Sequence, residues 1–108
     1  MSADIPESDW RRFREVRAAL LDRFCTRVLN ELAEVSQATD GTAHERYLRA
    51  YKLIDQRDEE LAHAFNDFRR STAIMQLAIM RRMNLLTDED LSVFSEQTRS
   101  CVLSIASI

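Results

Sequence analysis

The sequence predicts an all-α protein: an antiparallel helical hairpin with a long central helix plus a third, C-terminal helix, dimerising into a helical bundle. Three observations carry that expectation. A single Gly and a single Pro in 108 residues leave little material for hairpin turns. Apolar residues recur at three- and four-residue steps along most of the chain, and period-two alternation of β-branched residues is nowhere sustained. With 45% hydrophobic residues the chain can bury one modest core. No repeat, linker or shift of composition divides it, so 1–108 reads as a single domain.

Residues 1–7 read as a short frayed arm, with Pro6 at or just before a helix start. The first helix is expected over about 8–38. Phe13, Val16, Leu20, Phe24, Val28, Leu32 and Val35 form one stripe, widened by Leu21, Cys25 and Leu29, while charged residues hold much of the remaining surface. It should stop near Ala38, because Asp40-Gly41 supplies a residue that enters the left-handed conformation without a Cβ clash. Thr42 can cap the next helix, with Glu45 reaching back as a capping box. So short a connection makes the first two helices antiparallel neighbours.

The second helix is expected over about 43–86 as a spine on the order of 65 Å long. Alternating steps of four and three from Tyr47 give Tyr51, Ile54, Asp58, Leu61, Phe65, Phe68, Thr72, Met75, Ile79, Arg82 and Leu86, a heptad seam with no Gly or Pro. Folding the first helix back from Gly41 leaves roughly ten to fifteen residues of spine beyond its partner. A third helix is expected over about 88–106, capped by Thr87, stapled by Leu86 and Leu91, and presenting Phe94, Thr98, Cys101, Val102 and Ile105.

The overhang is apolar on all sides, and one covering helix cannot enclose it. Leaving several large aliphatic side chains in water would forgo roughly 1.5–3 kcal/mol each. The expectation is therefore a homodimer joined around residues 72–86, through Ile74, Met75, Leu77, Ala78, Met80, Met83 and Leu85. Any methionine-rich part left open would be a deformable docking site for a partner helix.

Charge and composition narrow the function classes. A net charge of −3 disfavours a general nucleic-acid binder. The N-terminus lacks a basic segment followed by an apolar one, so no secretory signal is read there. Ala73 to Met80 is too short to span a membrane, which makes the cytoplasm the default location. Cys25 and Cys101 lie on apolar stripes and read as buried thiols.

Three constellations bear on chemistry. Glu60 and His63 match the Glu-x-x-His element of di-iron bundles, but the heptad frame puts them on the outer surface. Asp58 occupies a seam position where an unpaired carboxylate would be costly, and Arg23 or Arg27 stands near the level to pair with it and fix the register. Arg11, Arg12, Arg69 and Arg70, with Arg14, should cluster midway along the spine, where guanidinium forks could hold an anion or phosphate. No nucleophile and base, phosphate loop or dinucleotide fingerprint is present, so neither enzymatic activity nor a cofactor is expected. The resulting expectation is a small cytoplasmic interaction or regulatory module that binds another protein through a helical face. The rival is a ligand-binding bundle holding an anion at the arginines or, less favoured, a metal at a dimer-related Glu60/His63 site.

Overall fold

The computed structural model describes residues 4–108. The expectations for Met1 to Ala3, including the reading of the extreme N-terminus, lie outside the described residues. The class is all-helical as expected, with no strand among the described residues. The chain forms α1 (Glu7–Gln37), α2 (Ala43–Phe65), a single 3₁₀ turn (Arg70–Thr72), α3 (Ala73–Arg82), α4 (Asp88–Leu91) and α5 (Glu96–Ala106).

Pro6 starts α1, its carbonyl accepting from the Trp10 amide at 3.0 Å. Ile5 is not frayed: it is 1% exposed, and its carbonyl accepts from the Arg70 guanidinium at 2.7 Å. The α1–α2 connection follows its sequence signals in the Gly41 turn and the Thr42 cap, but the expected capping box is not reciprocal, since the Glu45 carboxylate accepts from the Thr42 hydroxyl at 3.3 Å. Gly41 has φ +74°, and the Thr42 hydroxyl accepts from the Glu45 amide at 3.1 Å.

The continuous spine expected over about 43–86 does not form. Helix α2 stops at Phe65, Asn66 is extended, and Asp67 takes φ +55°, a conformation that Asp tolerates better than most side chains. The carbonyls freed by the break are satisfied locally. Gln76 donates its amide to the carbonyls of Asn66 and Asp67, and the Thr72 hydroxyl donates to the Asp67 carbonyl at 2.6 Å. Phe68 then packs against Trp10 and Phe13, with ring centroids 4.8 and 5.1 Å away. The Arg17 guanidinium lies 4.4 Å from the Phe68 ring centroid and donates to the Phe65 carbonyl at 2.8 Å.

After this break the chain turns back. Arg70 reaches Ile5 and Glu7 near the start of α1, whereas Arg23 donates to the Leu85 carbonyl at 2.7 Å and Arg27 to the Asn84 carbonyl at 2.8 Å. Residues 70–85 thus run alongside α1 in its own direction and opposite to α2. The apolar overhang is folded into the core: Ala73, Leu77, Ala78, Met80 and Leu85 are each at most 1% exposed, and Ile74 and Met83 are partly buried against them. Only Met75 of the residues assigned to a dimer surface is largely exposed, at 54%. The cover ascribed to a second copy is supplied largely by α5 and α2 of the same chain, so the premise for dimerisation around residues 72–86 falls.

The helix expected over about 88–106 is also divided. Thr87 and Asp90 form a reciprocal capping box at the start of α4, and Leu86 and Leu91 are both buried. Helix α4 is short because Ser95 is captured from across the molecule. Asp9 of α1 accepts from the Ser95 amide at 2.9 Å and from the hydroxyls of Ser95 and Thr98 at 2.6 Å. Ser95 thereby becomes the N-cap of α5, with the Asp9 carboxylate at the positive end of that helix.

Burial works to raise the pKa of Asp9, but the bonds from Ser95 and Thr98 and the charge of Arg99 together hold it below the usual carboxylate value. A lowered folded-state pKa gives stability that is present above the unfolded value of about 4 and lost as pH falls through the folded one. Asp9→Asn should therefore destabilise the protein at neutral pH and flatten the loss of stability as pH falls below about 4, as read by urea midpoints. Leu77→Ala should cost about 2–5 kcal/mol while leaving the mass of the native species unchanged in light scattering, because the side chain is enclosed by its own chain.

Candidate interaction surface

Beyond the level of α3 and α5, the last turns of α1 and most of α2 project as a two-helix arm, and the molecule measures 56 × 26 × 24 Å. Arg46, Ala50, Leu53, Arg57 and Leu61 are the half-buried line of α2. That line is one step round the helix from the predicted seam, whose members Tyr47, Tyr51, Ile54 and Asp58 are exposed. A two-helix layer leaves both its faces in water, and here the two faces differ sharply in chemistry.

One face is polar and internally paired. Arg57 donates from Nε and a terminal nitrogen to the Glu31 carboxylate at 3.1 and 2.9 Å, and its other terminal nitrogen reaches Glu60 at 2.9 Å. The hydrogen bond to Arg57 holds Glu31 below the ordinary carboxylate range. Arg27 lies on this side too, and Met83 from the end of α3 closes its lower edge.

The opposite face is apolar. A groove between the helices is lined by Phe24, Cys25, Val28, Leu29, Ile54, Arg57, Asp58 and Leu61. Along and above it, Leu29 is 61%, Tyr47 67%, Tyr51 65% and Ile54 43% exposed. These residues follow from helical spacing: Tyr47, Tyr51, Ile54 and Asp58 share one side of α2, while Leu21, Cys25, Leu29 and Leu32 share one side of α1.

The other expected sites are rearranged. Asp58 is exposed and makes no pair with Arg23 or Arg27. Arg23 instead bonds Asp90 at 2.6 Å, Arg27 bonds backbone carbonyls, and the bond that links the two arm helices is Arg57 to Glu31. Of the arginine cluster, Arg12 faces Glu15 at 3.7 Å, Arg69 clasps Asp67 at 2.7 Å, and Arg14 and Arg70 share Glu7 at 3.8 and 3.1 Å. Arg11 is exposed. The cluster is thus divided among its own carboxylates rather than converged on one point.

Glu60 is engaged by Arg57 and His63 is exposed; among the described residues no group of three or more His, Cys, Asp or Glu is placed to hold a metal. His44 stacks on Tyr47 with centroids 6.4 Å apart, and Cys25 and Cys101 are unpaired and half-buried.

Sequence reasoning missed Arg57, although the glutamate three residues on was an available signal. It also missed Asp9, whose partners lie 86 and 89 residues away, so no local pattern announces it.

Set beside known families, curated proteins and solved structures, the chain matches none of them. Among the described residues no helix is long and apolar enough to cross a membrane. What the geometry defines is an all-helical protein, elongated to 56 × 26 × 24 Å. Replacing Arg57 by Ala should leave Glu31 and Glu60 without their common partner and lower stability in urea by about 1 kcal/mol or less, since the pair is partly exposed.

Proposed function

We propose that the chain is a small protein–protein interaction or regulatory module whose binding element is the apolar face of the α1–α2 arm. The observation that carries this is the exposure of Leu29, Tyr47, Tyr51 and Ile54 on one side of the arm, with the ion-paired residues Glu31, Arg57 and Glu60 on the other. Scattered exposed apolar residues are ordinary on any protein surface, but a contiguous stripe over two adjacent helices is the form a helix-accepting surface takes. Tyrosines add to the case, because they offer large contact area and a hydroxyl at small cost in side-chain freedom. The two free thiols suit a reducing, cytoplasmic setting.

An anion site at Arg11, Arg12, Arg69 and Arg70 gains no support, because Glu15, Asp67 and Glu7 already face three of the four guanidinium groups. No catalytic role is proposed for any residue.

A photo-cross-linking residue placed at Tyr51 should form an adduct with a polypeptide in living cells, whereas the same residue at Ser100, exposed on α5, should not. Equal labelling at both positions, or none at Tyr51, would remove the arm face as the binding element.

A further inference from the structure

We infer that the break between α2 and α3 is a conformational switch through which two copies of this chain exchange segments. Residues 66–72 straighten into helix, and α3, α4 and α5 of each copy pack on α1 and α2 of the other. The exchange takes place in the base and leaves the arm face as it is, so it does not depend on the binding role of that face.

Unfavourable features gather at this one junction. Asp67 has φ +55°, a left-handed conformation that a side chain with a Cβ seldom takes. Among the described residues, the buried side-chain polar atoms that lack a hydrogen-bond partner are Arg17 Nε and Gln76 Oε1. Both groups hold the break, Arg17 at the Phe65 carbonyl and Gln76 at those of Asn66 and Asp67. Backbone strain and unpaired buried groups concentrated in one segment are characteristic of switch regions.

The chain also has a second arrangement available there. Residues 66–72 contain neither Gly nor Pro, and the apolar seam of α2 keeps its phase across the break: Leu61, Phe65, Phe68, Thr72, Met75 and Ile79 follow in steps of four and three. A continuous helix passes the carbonyls of Asn66 and Asp67 to backbone amides four residues on and removes the left-handed residue. A lone chain cannot adopt it, because Leu77, Met80 and Leu85 would leave the core. Two chains can. Because α3 runs opposite to α2, two straightened spines that cross antiparallel at the break, about a two-fold axis there, bring the α3 of each copy to the place of the other's own. The ties that hold the base then form again between copies: Asp9 with Ser95 and Thr98, and Arg23 with Leu85 and Asp90. Only the junction differs between the two states, and a short strained junction favours exchange.

The full-length chain tests this when it is refolded from urea at millimolar concentration and its species are separated by size. The wild type should yield a dimer beside the monomer. Asn66→Ala with Asp67→Ala favours helix and disfavours the left-handed conformation in both copies, and should raise the ratio of dimer to monomer about a hundredfold. Asp67→Gly suits the closed junction and should lower that ratio roughly tenfold. Exchange is told from side-by-side association with nitroxide labels on Ser8→Cys and Gln97→Cys in a Cys25→Ser, Cys101→Ser background. Both positions are exposed and flank the contact of Asp9 with Ser95 and Thr98. When labelled chains are refolded with an excess of unlabelled ones, the short distance between labels should persist in the monomer and vanish from the dimer, whose labelled α5 sits on an unlabelled α1.

Refolding of the wild type to monomer alone would overturn the inference, as would a dimer in which the short distance survives dilution. An Asp67→Gly chain that dimerises as readily as the wild type would overturn it too. The glycine variant and the label test remain decisive even if the alanine variant fails to fold.

Discussion

The fold depends on the interruption between Phe65 and Arg70. An uninterrupted helix would carry the apolar residues from Ala73 onward past the end of α1, with no element of this chain able to surround them. The break reverses the chain instead, and α3 climbs back between α1 and α5, where Leu77 and Met80 lose all contact with water. Burial of that helix outweighs the few helical hydrogen bonds given up, which Gln76, Thr72 and Arg69 largely replace with side-chain partners.

Once the break exists, long polar ties hold the base together. Asp9 fastens the beginning of α1 to the beginning of α5, Arg23 ties its middle to Leu85 and Asp90, and Arg17 grips the end of α2 while lying over Phe68. Each is a charged group whose donors or acceptors lie on a distant element. Such groups are costly to leave unpaired, so they fix which elements meet and in what register. The aromatic contacts among Trp10, Phe13 and Phe68 fill the corner that these ties enclose.

The same reversal leaves the far part of the hairpin without cover. Because α3 and α5 end near the level of Arg27, the arm above them has α1 and α2 only. Its ion-paired face is suited to water, whereas its other face leaves Leu29, Tyr47, Tyr51 and Ile54 exposed. The base thus supplies a self-contained core, and the arm presents an exposed apolar stripe.

Local chemistry wrote much of the secondary structure directly into the chain. The first helix, its termination before Gly41, the Thr42 and Thr87 caps and the amphipathic stripe of Leu21, Cys25, Leu29 and Leu32 depend only on residues within a turn or two, and each was legible. Tyr47, Tyr51 and Ile54 were legible as a stripe but not as an exposed one, because periodicity identifies a helix face without saying what lies against it. The stop at Phe65 was illegible for a related reason: Asn66 and Asp67 are weak breakers, and their carbonyl partner Gln76 acts only when α3 has folded back. Ser95 is likewise an ordinary helical residue until Asp9 arrives from the other end of the chain. The sequence alone therefore determined which segments are helical and where the strong caps fall. Only the tertiary structure decided where the long helices break and which apolar face stays open, since both follow from burial and pairing between residues far apart in the chain.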